Sequence, residues 1–203
     1  MEFFQNSIFY IELTTLIIYL YFFKKHRVSF YKWFIAYVFF SCLVEFIGGY
    51  YKEMDNYWIY NIYTFFEFLC ITLIYYSLNK ETTSRKIIIY ITVIFYIIYF
   101  VSFKFEVLQN YTVLILSVFV SFFMLLYLKE LLNSNKIMNF KKEISFWITV
   151  GFLIYYLGTV PFFSLLYIGG MNDRILFTML SLIVMIAHFV FIGGLIWSNR
   201  IQK

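Results

Sequence analysis

Charge and proline are scarce in this sequence. Only 13% of its 203 residues are charged, against roughly 25% in a soluble globular domain, and the chain contains one proline and eight glycines. Such a composition excludes an ordinary soluble domain and a long disordered linker. Hydrophobic residues make up 63% of the chain and the mean hydropathy is +0.81. The sequence therefore predicts an integral membrane protein.

Cysteine and histidine are also rare. Cys42 and Cys70 lie in separate apolar runs and form no C-x-x-C pair, so neither a disulfide framework nor a zinc site is indicated. The two histidines, His26 and His188, are too few for a seven-helix zinc hydrolase, and no H-E-x-x-H motif is present.

Several other catalytic signatures are missing. The last apolar run contains no lysine for a retinal Schiff base, and the chain contains neither a G-x-S-x-G elbow nor a Walker loop. Asp55 and Asp173 fall in polar turns, which excludes the paired buried aspartates of an intramembrane aspartyl protease. No cofactor, substrate or ligand is indicated by a motif.

Apolar runs long enough to cross ~30 Å of hydrocarbon as helices recur along the chain. The N-terminus lacks the basic flank of a signal peptide, so we expect the first run to remain as a spanning helix. We predict an all-α bundle of seven transmembrane helices that forms one transmembrane domain over residues 1–203. The predicted spans are 4–23, 29–51, 57–78, 86–103, 110–132, 144–168 and 174–198.

Basic residues lie almost entirely on one side of these spans. With the predicted boundaries, 13 of the 16 Lys and Arg fall on the side that holds the turns after spans one, three and five and the C-terminus. By the positive-inside rule, the N-terminus is then outside and the C-terminus is cytoplasmic. We expect a multi-pass protein of a membrane, the cytoplasmic (inner) membrane if it is bacterial. The basic residues on the cytoplasmic side explain the net charge of +5, so we expect no direct nucleic-acid binding.

Carboxylates interrupt three of the apolar runs. Glu12, Glu45 and Glu67 lie inside spans one, two and three, accompanied by Asn61 in the third and His188 in the seventh. An ionised carboxylate at bilayer depth costs roughly 2.5 kcal/mol or more, so such residues face the bundle interior, pair or take up a proton. We predict that these five residues form a ligand or proton site. The bland alternative is a set of neutral side chains that fasten helices together by hydrogen bonds.

Further polar side chains share helical faces with these groups. Helical neighbours recur at i+3 and i+4, which pairs Ser41 with Glu45 and places Tyr63 and Thr64 above Glu67. Thr159 belongs to a similar face of the sixth span. We therefore predict that spans one, two, three, six and seven surround a polar interior that opens toward the outside. Spans four and five are expected to pack mainly against lipid.

Three functions agree with this pattern. The first is a sensor or small-ligand-binding protein that signals to a separate cytoplasmic partner. The second is a carrier, channel or oligomeric pore that uses the buried glutamates, including a membrane accessory of a defence system. The third is an intramembrane enzyme in which glutamates and His188 act as acid and base. We favour the first function, and expect the bilayer and either a partner protein or further copies of the chain as partners.

Overall fold

The computed structural model describes residues 2–26, 28–50, 57–170 and 174–201. These residues are helical outside their turns, and no strand occurs among them. The α-helices are α1 Glu2–Tyr21, α2 Ser29–Tyr50, α3 Tyr57–Leu78, α4 Thr82–Ser102, α5 Glu106–Leu132, α6 Ile144–Tyr167 and α7 Arg174–Ile201. The prediction of an all-helical chain is confirmed for this part of the sequence.

The helices follow the predicted spans closely, with every end within four residues of the predicted boundary. Six helices, α2 to α7, are long and apolar enough to cross a membrane by length and composition. In α1 the described apolar stretch is shorter and runs over Ser7–Tyr21. Pro161 lies inside α6, which continues beyond it to Tyr167.

The connection between α5 and α6 differs from the prediction. A polar loop was expected there, but Asn135–Lys142 forms 3₁₀ turns that are broken at Asn139. Phe140 of this segment packs on Phe146 of α6, and Trp147 Nε1 donates a 3.0 Å hydrogen bond to the Lys141 carbonyl. These contacts hold the otherwise polar segment against α6.

Six of the helices form a closed ring, with each helix packed on the next in the order α1, α2, α3, α5, α6, α7 and back to α1. Helix α4 lies outside this ring, against α3 and α5. Consecutive helices are antiparallel, so the ring has two ends. We call the end with the α1–α2 and α3–α4 turns, the 3₁₀ segment and the α7 C-terminus the basic end. The predicted polar turns with Asp55 and Asp173, at residues 51–56 and 171–173, lie outside the described residues.

Helices α4 and α5, both expected to pack mainly against lipid, occupy different positions in the bundle. Large side chains of α4, such as Tyr90 and Phe100, are exposed. In contrast, α5 buries Leu116, Val120 and Phe123 completely in the core. The reason is that α5 fills the ring position between α3 and α6, which its uncharged sequence does not reveal.

Glycines allow α6 and α7 to approach closely. A Cβ atom on Gly151 would collide with the ring of Phe191, and one on Gly194 would collide with Trp147. Gly158 faces Ile183 in the same interface, where a Cβ would lie 3.1 Å from its side chain. Small residues at a helix contact are the usual means of close packing in membranes.

Hydrogen bonds between turns join helices at the basic end. His26 Nε2, in the α1–α2 turn, lies 3.0 Å from Asn199 Oδ1 near the end of α7. The Glu130 carboxylate of α5 accepts bonds of 2.7 and 2.9 Å from the backbone N–H of Lys80, just before α4. These contacts hold the α1–α2 turn against α7 and the α3–α4 turn against α5.

Candidate functional site

Glu12 is the centre of a polar cluster between α1, α2 and α7. Its side chain is 5% exposed, and Ser41 Oγ donates a 2.6 Å hydrogen bond to Glu12 Oε1 from the neighbouring helix. The second oxygen, Oε2, is buried and has no hydrogen-bond partner among the described residues. A buried acceptor without a donor loses its hydration without compensation, which makes this atom unusual in a folded protein.

His188 of α7 lies beside this carboxylate. Its Nε2 atom is 4.0 Å from Glu12 Oε1, which is too long for a hydrogen bond. Its Nδ1 atom is 2.9 Å from Thr15 Oγ1, and the Thr15 hydroxyl donates to the Ile11 carbonyl at 2.8 Å. Thr15 stands one turn after Ile11 on α1, so this helix holds both Glu12 and the partner that orients the imidazole.

Glu67 of α3 is the second buried carboxylate of the interior. Tyr156 of α6 donates a 2.6 Å hydrogen bond to Glu67 Oε1 across the ring. The hydroxyl of Tyr37 on α2 lies within hydrogen-bonding range of those of Tyr156 and Tyr63. Helices α2, α3 and α6 are thus joined by tyrosine hydroxyls around one carboxylate.

Glu45 lies between this interior and the end opposite the basic one. It follows Ser41 by one turn of α2, about 6 Å further along the axis, and is half-buried. Glu45 and Glu67 are both close enough to Glu12 for electrostatic interaction. The three carboxyl groups therefore belong to one region of the interior.

Three predicted residues are not shown in contact with the carboxylates. Asn61 acts through its backbone, since its carbonyl accepts a 2.8 Å hydrogen bond from Tyr99 of α4. Thr64 and Thr159 donate their hydroxyl hydrogens to carbonyls of their own helices, at 2.9 and 3.1 Å. Both threonines are nevertheless buried in the interior.

Two polar side chains of the interior were missed. Tyr37 precedes Ser41 by four residues and Glu45 by eight, so the polar face of α2 could have been extended to it. Tyr156 precedes Thr159 by three residues, so the polar face of α6 could have been extended to it in the same way. With 20 tyrosines in the chain, residue type alone does not select either one.

An aromatic layer closes the ring on the basic side of these groups. Phe34, Phe152 and Phe191 meet at ring-centroid distances of 4.9 to 5.8 Å, and all three are buried. Next to them, Tyr31 donates a 2.8 Å bond to the Tyr19 carbonyl, and Tyr19 donates a 3.0 Å bond to the Phe191 carbonyl. Each of these residues is nearer the basic end than the polar residue of its own helix.

The interior has one sign of charge. The middle of each helix contains no Lys or Arg, because these residues stand in the terminal turns or outside the helices. Within the described part of the chain, no three His, Cys, Asp or Glu side chains converge as metal ligands would. Carboxylates, hydroxyls and an imidazole without a basic partner suit a proton or a small cation better than an anion.

Comparison with known proteins supplies no assignment. The chain matches no family model, no curated protein and no solved structure. Its function is therefore argued from the chemistry of the interior.

Proposed function

We propose that this chain is a multi-pass membrane sensor that binds a small ligand in its carboxylate-lined interior. The observation that carries the proposal is the buried Glu12 oxygen without a hydrogen-bond donor, set among groups from five helices. Carboxylates in a membrane interior are costly and mark functional sites more often than chance. A ligand that supplies the missing donor gains an interaction that the protein alone lacks.

The proposal includes seven spans with the N-terminus outside and the C-terminus in the cytoplasm. It is supported by seven long helices, six of them apolar enough to span, and by the 13 Lys and Arg gathered at the basic end. In this orientation Glu45 is the carboxylate nearest the outside. We infer that the ligand enters past Glu45 toward Glu12.

A sensor is favoured over a channel because the aromatic layer closes the site on its cytoplasmic side. Contacts between α1 and α7 then run from Thr15 and His188 through Tyr19 and Phe191 toward the basic end. A shift of α7 against α1 on ligand binding would reach the cytoplasmic surface, where a separate partner protein could respond. Such a partner is part of the proposal.

A carrier is the second candidate. Glu45, Glu12 and His188 form a succession of protonatable groups along one side of the ring, as in membrane proton relays. A carrier requires the aromatic layer to open during a transport cycle, whereas a sensor does not. Flux measurements therefore separate the two functions.

The test is the accessibility of Ser41 to a charged reagent. In a background in which Cys42 and Cys70 are replaced by alanine, Ser41→Cys should react with the membrane-impermeant trimethylammonium-ethyl methanethiosulfonate added from outside. The matched control is Ser117→Cys, since Ser117 is also a fully buried helix residue but lies on α5, away from the carboxylates. Modification of Ser117→Cys but not Ser41→Cys contradicts the proposal.

Proteoliposomes loaded with a pH dye complete the test. A sensor should leave the internal pH unchanged when a proton gradient and candidate solutes are applied, whereas a proton-coupled carrier should dissipate the gradient. If the parent protein dissipates the proton gradient and Glu12→Gln does not, the proposed function is that of a carrier and not that of a sensor.

A further inference from the structure

The hydrogen atoms between Glu12 and His188 can be counted. Thr15 has one hydroxyl hydrogen, and it is donated to the Ile11 carbonyl at 2.8 Å. We assign the hydrogen of the 2.9 Å contact between Thr15 Oγ1 and His188 Nδ1 to Nδ1, because the Thr15 hydrogen is already donated to Ile11. In the neutral imidazole, Nε2 then carries a lone pair and is an acceptor.

This acceptor faces a second acceptor. His188 Nε2 is directed toward Glu12, 4.0 Å from Oε1, while Glu12 Oε1 already accepts the hydrogen of Ser41. The remaining Glu12 oxygen has no donor among the described residues. A doubly protonated His188 would supply a donor, but at 4.0 Å it would not make a hydrogen bond to Oε1. With Glu12 ionised and His188 neutral, the atoms that the two side chains present to each other are therefore acceptors.

We propose that the ligand of this site is a small organic ammonium ion whose N–H groups bind Glu12 Oε2 and His188 Nε2. This inference rests on the proposed function and names the chemical class of its ligand. A primary ammonium carries three N–H donors and a positive charge, which match one unpartnered carboxylate oxygen and one imidazole lone pair. The charge also compensates the carboxylates grouped around Glu12.

The surroundings select an organic cation. Four tyrosines, Tyr37, Tyr60, Tyr63 and Tyr155, lie within electrostatic range of Glu12, and aromatic rings attract ammonium groups through their faces. A divalent metal would need at least three convergent ligands, which the described residues do not provide. A zwitterionic amino acid would bring a carboxylate into an interior without Lys or Arg, so the ligand should be an amine without an acidic group.

The test compares amines with molecules of the same shape. The melting temperature of the full chain, in nanodiscs of phosphatidylcholine, is measured with methylamine, benzylamine, benzyl alcohol, benzoate and tetramethylammonium at equal ionic strength set by NaCl. Methylamine or benzylamine should raise the melting temperature saturably, by about 5 °C at a hundredfold excess over Kd. Benzyl alcohol, benzoate and tetramethylammonium should not, because each lacks the charge or the N–H group.

Variants locate the binding. Glu12→Gln should weaken amine binding about tenfold or more, since the charge-assisted bond is lost. Glu81→Gln is the matched control, because it removes an exposed carboxylate at the basic end and should leave the affinity unchanged. The selectivity among the probes with the parent protein decides the question even where Glu12→Gln does not fold.

Each alternative outcome overturns the assignment. An equal rise with benzyl alcohol indicates an apolar site, an equal rise with added NaCl indicates an inorganic cation, and undiminished binding in Glu12→Gln indicates another location. If neither amine raises the melting temperature but Ser41→Cys is still modified from outside, the assignment of an amine ligand is wrong and the proposal of an accessible site is retained. If neither result is obtained, both proposals fail.

Discussion

At the scale of single residues, the interior holds each buried carboxylate with one hydroxyl from another helix. Ser41 of α2 donates a hydrogen bond to Glu12 of α1, and Tyr156 of α6 donates one to Glu67 of α3, both at 2.6 Å. One donor satisfies one oxygen, and a carboxylate accepts through both. The carboxylates therefore link helices while retaining capacity for a further donor, which is why fastening and binding are compatible in the same side chains.

Tyr156→Phe tests the link to Glu67. The variant removes the hydroxyl that, among the described residues, donates to Glu67 Oε1, and the free energy of unfolding should fall by about 1 to 3 kcal/mol. Thermal unfolding in detergent measures this change. Tyr155→Phe is the control, because Tyr155 is the adjacent tyrosine and interacts with Glu67 electrostatically without a described hydrogen bond to it, so its removal should change the melting temperature less. Equal losses in both variants would contradict the assigned role.

The acids could be predicted from sequence, but most of their partners could not. Glu12, Glu45, Glu67 and His188 stand out because charge in an apolar run is costly. The contact between Ser41 and Glu12 depends on how far α2 slides along α1, and helical spacing suggested Glu45 as the neighbour of Ser41. Asn61 was chosen for its polarity alone, whereas the structure uses its backbone carbonyl for Tyr99.

At the scale of helices, apolar length predicts where each element runs but not how it starts. Helix α4 begins at Thr82 instead of the predicted residue 86, through a polar stretch that hydropathy excludes. The structure supplies the reason, because Glu130 of α5 accepts the N–H groups of Lys80 and Glu81 that precede the first turn. A cap from another helix lies beyond any local pattern.

Glu130→Ala should weaken this start of α4. The backbone N–H groups before the helix lose their acceptor in this variant. The free energy of unfolding should fall by about 1 kcal/mol, as for the loss of an ordinary N-cap. Thermal unfolding of the variant measures it. Glu81→Ala serves for comparison, since its carboxylate makes only a 3.3 Å contact with Ser84 of its own helix and should matter less. The cap has no role if Glu81→Ala is the more damaging change.

Two adjacent glycines of α7 should respond in opposite ways. A Cβ at Gly194 overlaps Trp147 of α6, so Gly194→Ala should cost about 1 to 3 kcal/mol through displaced packing. A Cβ at Gly193 meets nothing within 4 Å, so Gly193→Ala should gain up to about 1 kcal/mol of helix stability. Melting temperatures of the two variants beside the parent measure the difference. A loss in Gly193→Ala as large as in Gly194→Ala would show that the packing of α6 on α7 is not the cause.

At the scale of the whole molecule, ring order is the feature that sequence could not give. Both α4 and α5 lack a buried charge, and both were expected to face lipid, yet only α5 occupies a ring position. The choice depends on which helix offers side chains that fit between α3 and α6, such as Phe123 against Phe68. Such fit is a property of three surfaces together and leaves no periodic signal in any one of them.

The number of spans fixes the sides of the two termini. Seven spans place them on opposite sides of the membrane, whereas six, with α1 not crossing, place them on the same side. We expect a fluorescent protein fused after Lys203 to fluoresce in the cytoplasm, and alkaline phosphatase fused before Met1 behind an export signal to be active outside. Cytoplasmic location of both ends would remove α1 from the membrane and contradict the proposed orientation.

The ring is closed by α1 and α7, the first and the last of the described helices. Glu12 belongs to α1, but His188 and Phe191 belong to α7, which is synthesised after α1 to α6. Until α7 packs on α1, the Glu12 carboxyl group has Ser41 as its described partner and no imidazole beside it. The proposed site is consequently assembled in the order of synthesis, and a chain that stops before α7 lacks it.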